Sequence, residues 1–390
     1  MICAAVGFQL CEKCVGSTGV FLLKYKKEVF PMKKIVAILV AVMLCMTMAT
    51  ACAAAETATV SWYTFGDVYL SSVRSELDAA FEAKGITPND RDANGVQQTQ
   101  SDDIQTAIVT GSNALVINLV DSGAIGTAET LMNMAKEANV PAVFFNRAVS
   151  TDDAEAAALF QGYEKSAFVG TNFIEAGMMQ GTMIGEYVLE HYDEIDLNGD
   201  GVISYVMFKG DEANQEAIYR TQYGVEYANN VLTAAGKPEL SFYDASNTSK
   251  YLVDMNGTWS QTASYEYMAA ILAQYSEANG NMVELVIANN DDMAIGAINA
   301  LQDSNYNQPD GSTKVIPVFG VDATDAAKEK IAEGTMIGTI KQDAAGMADA
   351  VATITANLIA GNDKFEGLNE NYGIIDGWMV TIPYSVYTGE

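Results

Sequence analysis

Val286-Ile-Ala-Asn-Asn290-Asp291 decides how this chain is read. A short apolar run over 285–288 stops at amide and carboxylate side chains, and a helix-like stretch over 293–303 follows directly. That is a strand whose carboxyl end carries polar groups. The pattern recurs along the chain. Asn118 follows Leu115-Val-Ile, Asn146 follows Val143-Phe-Phe, Asp322 follows Val318-Phe-Gly-Val, and Asp67 follows the first β-rich run over 60–65. Helical stretches expected over 70–84, 175–192, 216–235, 261–274 and 326–333 alternate with further runs over 168–170, 204–208, 240–243, 315–319 and 336–340. Such alternation predicts an α/β fold with parallel sheets. It runs through the chain twice, which predicts two similar lobes, each a parallel-type sheet flanked by helices. No low-complexity linker separates them, so the lobes are expected to share several crossings.

Ligands of open α/β sheets sit beyond the carboxyl ends of the strands. Each Asn or Asp there also has a simpler reading as a helix cap. Five of them, drawn from both halves, point to a polar cleft between the lobes. Asp and Asn suit polyhydroxyl ligands, because a missing hydroxyl leaves a buried polar group unpaired. Trp259 and Tyr69 are candidates for stacking on a sugar ring, against a bland reading as core aromatics. Arg220 lies four residues after Glu216, as a surface ion pair or as an oriented cleft donor. Gly111, Gly123 and Gly126 form no phosphate-binding loop pattern.

The composition narrows the classes further. Residues 32–52 combine Lys33-Lys34, an apolar run from Ile35 to Met48, and small residues before Cys52. This reads as an export signal whose end resembles a bacterial lipoprotein box, with Cys52 the expected lipidation site, and a plain cut near Ala53-Ala54-Ala55 is the alternative. Residues 1–31 read as an upstream extension from a start codon placed too early. All five cysteines lie at or before residue 52, so the exported body has no disulfide and no thiolate metal site. Six of the 21 basic and two of the 50 acidic residues precede residue 52. The body therefore carries 15 basic against 48 acidic residues, near −33. Nucleic acid is not an expected partner of such a surface. His191 is the only histidine, which excludes most Ser-His and Cys-His triads.

Asp196-Leu-Asn198-Gly-Asp200-Gly201 is the front half of a calcium loop. Its twelfth place is Met207, which cannot act as the bidentate Glu of a calcium hand. Either the loop is empty or a carboxylate from elsewhere completes it.

Together these segments resemble the bacterial galactose/glucose-binding proteins of sugar ABC transporters, from about residue 58 to the end. The segments are 114–121, 143–146, 168–171, 196–201, 286–291 and 316–322. The resemblance implies the type I periplasmic-binding-protein fold, with a first lobe of 56–170 plus 343–377 and a second lobe of 171–342 plus 378–390. It implies an exported, monomeric, non-enzymatic protein that holds a monosaccharide and hands it to an ABC permease. Galactose and glucose are the first choices, then a methylgalactoside or a pentose. A sensor subunit for a chemoreceptor or histidine kinase shares the same cleft, and a secreted glycoside hydrolase is the remaining alternative. Carried over by position, the sugar contacts are Asp67, Tyr69, Asn118, Arg220, Trp259, Asn290 and Asp322. Asn214 stands where the family has His, Glu216 where it has Asp, and Gln342 where it has Asn. For calcium, the resemblance implies Asp196, Asn198, Asp200, the carbonyl of Val202 and Glu284, with Ser204 in place of the family's Gln.

Overall fold

A computed structural model describes residues 55–389. The upstream extension, the export signal and Cys52 lie outside the described residues. No described helix is long and apolar enough to cross a membrane.

The strands are β1 (Glu56–Trp62), β2 (Ile86–Asp92), β3 (Ala114–Ile117), β4 (Ala142–Phe145), β5 (Ser166–Gly170), β6 (Ser204–Lys209), β7 (Ser241–Phe242), β8 (Leu252–Val253), β9 (Leu285–Ala288), β10 (Val318–Asp322), β11 (Gly338–Gln342), β12 (Gly373–Ile375), β13 (Met379–Thr381) and β14 (Tyr384–Tyr387). They form two sheets. The first has the order β2-β1-β3-β4-β5-β13-β12, and the second β7-β6-β9-β10-β11-β14, with β8 also on β6. Within each, five parallel strands share one winding, with the second strand outside the first and the next three on its other side. The antiparallel pairs are β12 with β13 and β11 with β14, at the sheet edges.

Strands β3, β4, β5, β9 and β10 are buried along their whole length, as a parallel sheet covered on both faces requires. In the second lobe the helix Phe173–Glu190 lies against the helix Gln215–Ala234. Glycines permit the close approach. A Cβ on Gly177 would lie 2.6 Å from the Tyr219 carbonyl oxygen, and one on Gly181 would lie 2.6 Å from that of Tyr223. This contact sets the position of the helix that carries Arg220.

Three crossings join the lobes, at Thr171–Asn172, at Asp343 and at Ile382–Pro383. The third lies after β13, because β13 pairs with β5 and so belongs to the first sheet. The boundary expected at 377/378 therefore lies between Thr381 and Tyr384. Strand β2 is also absent from the sequence reading. It reads Ile-Thr-Pro-Asn-Asp-Arg-Asp and lies at a sheet edge, where charge and Pro88 blunt further pairing instead of advertising a strand.

Candidate functional site

The expected polar residues all lie at carboxyl ends of strands, or on the helices that start there. Asp67 caps the helix Val68–Ala83 by accepting from Leu70 N, Asn214 caps Gln215–Ala234, and Asn290 caps Asp291–Asp303. The capping reading thus holds for these three residues. Asp322 ends β10 with φ +122°, and Trp259 has φ +56° just before the cap Ser260. Non-glycine residues are costly in such backbone and are found where surrounding structure enforces them.

Arg220 is the hub. It is 2% exposed, and its guanidinium is held from three sides. Nη1 donates to the Asn289 carbonyl at 2.9 Å, and Nη2 donates to Gln342 Oε1 at 2.9 Å and to the Tyr384 hydroxyl at 3.2 Å. Glu216 and Asp322 stand at 3.5 and 3.8 Å. Burial works against its charge, but Tyr384, Glu216 and Asp322 outweigh it and hold the guanidinium protonated.

Around this hub several buried polar atoms have no protein partner. They include the Tyr69 hydroxyl, Arg220 Nε and Gln342 Nε2. Tyr69 comes from the first lobe, yet after burial its proton is held most by Asp322, Tyr384 and Glu216 of the second. Burial also pushes Asp322 well above the usual carboxylate range, with Arg220 opposing. Beneath them Asp291 is fully buried, accepting from Thr324 N at 2.7 Å and from the Thr339 hydroxyl at 2.6 Å. Burial raises it from 3.8 to about 7. An acid raised in the folded state favours folding below its unfolded pKa, and that contribution is lost as pH rises through the folded value. Melting temperature should therefore fall by a few degrees between pH 5 and 8. Scanning calorimetry should show a shallower fall in Asp291→Asn.

Asn118 is fully buried and its amide is engaged beneath the cleft. It accepts from Tyr63 N at 3.3 Å and donates to the Phe145 carbonyl at 3.2 Å and to Asn146 Oδ1 at 3.4 Å. Tyr63 and Arg147 were not anticipated. The Tyr63 hydroxyl donates to Asp67 Oδ2 at 2.9 Å, and the Arg147 guanidinium lies 4.0 Å from the Tyr63 ring centre. Arg147 pairs with Asp211 across the lobes at 3.7 Å, and Asn214 Nδ2 donates to Ser122 Oγ across them at 3.4 Å. The lobes are therefore closed on one another. Beside the Arg147–Asp211 pair, between Tyr63 and Tyr251, lies a cavity of about 770 Å³ that none of the residues around Arg220 lines.

A profile of the periplasmic binding protein domain matches residues 58–363. The chain belongs to the periplasmic binding protein family. It is 33% identical over 329 residues to the D-galactose/methyl-galactoside binding periplasmic protein of Haemophilus influenzae, covering 83% of this chain and 87% of that one. It is 28% identical over 316 residues to a putative rhizopine-binding protein of Rhizobium meliloti, covering 81% and 87%. Among solved structures it resembles an ABC transporter solute binding protein of Clostridium phytofermentans with bound β-D-glucose. That match has a TM-score of 0.64 at 19% identity, covering 86% of this chain and 94% of that one. These periplasmic binding proteins are binding proteins and not enzymes, which sets aside the hydrolase alternative.

In this periplasmic binding protein the loop Asp196–Ser204 lies at the other end of the second sheet. It leads into the amino end of β6, and Glu284 immediately precedes β9. Glu284 is fully buried, and burial raises its pKa. Its Oε1 accepts from Leu197 N at 2.8 Å and Asn198 N at 3.3 Å, and its Oε2 from Ser204 N at 2.8 Å. Asp196 accepts from Gly199 N and Gly201 N, Asn198 Oδ1 from Asp200 N, and Asp200 from Val202 N. Among the described residues no Lys or Arg pairs with Asp196, Asp200 or Glu284, and no three Asp, Glu, His or Cys side chains are drawn together at metal-binding spacing. Asp196, Asn198, Asp200 and Glu284 supply oxygen donors of the kind a hard cation takes, and each carboxylate oxygen keeps lone pairs beyond its backbone contacts.

Proposed function

We propose that this protein captures one monosaccharide between its lobes and delivers it to an ABC permease outside the cytoplasm. D-galactose and D-glucose are the first ligands, followed by a methylgalactoside or a pentose. The observation that carries this reading is the set of unpartnered buried groups at the lobe interface: the Tyr69 hydroxyl, Arg220 Nε and Gln342 Nε2, among Asp67, Glu216 and Asp322. A ring of vicinal hydroxyls offers each of them a partner, because every hydroxyl both donates and accepts. Trp259 would cover the ring's apolar face, and Asn290 holds it by donating to its carbonyl at 3.3 Å. Asn214, bonded to Ser122, acts on this reading in lobe closure. A permease or a sensor would read the same closed form.

A thermal-shift screen over hexoses, pentoses and methyl glycosides tests the reading. Galactose or glucose should raise the melting temperature most, and a panel without any shift would remove it. Gly210 supplies a second check. A Cβ there would lie 2.1 Å from the Trp259 ring, so Gly210→Ala must displace the indole. Galactose affinity should drop about two- to tenfold, the scale of a lost aromatic contact, with the fold retained by circular dichroism.

For the loop we propose calcium, held by Asp196, Asn198, Asp200, the Val202 carbonyl and Glu284. The Ser204 hydroxyl lies 3.0 Å from the Met282 carbonyl and 3.1 Å from Glu284, so water fills the place the family gives to Gln. Its role is structural, since the loop is at the strand ends away from the cleft. We further propose that the protein is a monomer anchored through lipidated Cys52.

A further inference from the structure

Each of the three crossings between the lobes places one side chain in the network around Arg220. Thr171 lies at the first, Gln342 just before the second, and Tyr384 just after the third. Gln342 and Tyr384 accept from Arg220 Nη2 directly. The Tyr384 hydroxyl donates to Thr171 Oγ1 at 2.8 Å, and Thr171 Oγ1 donates to Glu216 Oε1 at 3.2 Å. Glu216 Oε2 faces Arg220 Nη2 at 3.5 Å. The four residues form a closed ring with one consistent direction of donation, from Arg220 through Tyr384 and Thr171 to Glu216. Every member is buried. A network of this kind is cooperative, and removing one hydroxyl leaves the others misdirected or unpaired.

From this we infer that Tyr384 and Thr171 are positioning residues. They fix the Arg220 guanidinium so that Nε points toward the ligand, and they tie its orientation to the hinge backbone. The inference rests on the sugar site proposed above, but the orientation of Arg220 can be read without sugar. Gln342 shares the guanidinium and also offers its own unpartnered Nε2, so it belongs to the binding set.

The test uses Tyr384→Phe, Thr171→Val, their double variant, and Thr171→Ser, which keeps the hydroxyl. In sugar-free protein the Arg220 Nε–H resonance is assigned by its loss in Arg220→Lys, which is tractable because the chain has four arginines. That resonance should move in Tyr384→Phe and Thr171→Val and stay in place in Thr171→Ser. Galactose affinity should drop about tenfold in each single variant, with little further loss in the double variant, because both break one ring. Thr171→Ser should restore wild-type affinity. A resonance unmoved in both single variants overturns the inference, whatever sugar does. Additive affinity losses in the double variant overturn it also. A resonance that moves as expected in the two single variants, when the wild type binds no sugar, leaves the positioning role standing and removes the sugar reading.

Discussion

Arg220→Met is expected to abolish sugar binding and to cost about 3–5 kcal/mol of stability, the range for breaking a buried ion pair by removing one partner. The size of the effect follows from the surroundings. Glu216 and Asp322 are buried beside the guanidinium, and neither has a second cationic partner among the described residues. Methionine fills the volume but leaves both acids uncompensated. Protonation of Asp322, already favoured by burial, would relieve part of the cost. Arg220→Lys separates charge from geometry. It keeps one positive charge in place, but an ammonium cannot supply three directed bonds to Asn289, Gln342 and Tyr384 as well as a free donor. The lysine variant should fold with a modest loss of melting temperature and bind galactose about a hundredfold more weakly, as two lost charge-assisted hydrogen bonds predict. Calorimetric unfolding and sugar titration read the two effects apart. Equal affinity in Arg220→Lys and wild type would show that charge alone matters there.

Glu284→Ala is expected to destabilise the second lobe for two separable reasons. Without metal it strips the acceptor from Leu197 N, Asn198 N and Ser204 N, which are only partly buried, at about 0.5–1.5 kcal/mol for each hydrogen bond lost. With calcium it also removes the ligand that completes the loop. The measurement is therefore a difference. Wild type should melt several degrees higher in calcium than in EDTA, because a ligand bound to the folded state alone stabilises it by mass action. Glu284→Ala should melt lower in both, at the same temperature in each. A wild type insensitive to EDTA would mean that backbone contacts alone hold the loop. Galactose affinity should change less than about twofold in either case, since loop and cleft lie at opposite ends of β6 and β9.

Much of the site was legible because strand ends in this fold are read one at a time. An apolar run that stops at Asn or Asp can mark a helix cap or a cleft wall, and Asp67 and Asn290 are caps, whereas Asn214 was legible only through the resemblance. Glu284 became legible only through resemblance, since nothing local in the 87 intervening residues links it to Asp196. Tyr384 and Thr171 were missed for a related reason. They meet across more than two hundred residues, and neither carries a spacing that sequence can register. Arg147 was missed because an arginine after a strand reads as surface, whereas here it closes over Tyr63. The misplaced third crossing has the same origin. Strand β13 is three residues long and finds its sheet only through β5.

The unpartnered groups around Arg220 are expected to hold a single sugar. Calorimetric titration of D-galactose and D-glucose into the protein in calcium-containing buffer decides this. One molecule should bind per chain, with a dissociation constant of about 1 μM or tighter, equivalent to some −8 kcal/mol. No heat from either sugar, or from any other monosaccharide of the panel at about 1 mM, where only some −4 kcal/mol is needed, would contradict it.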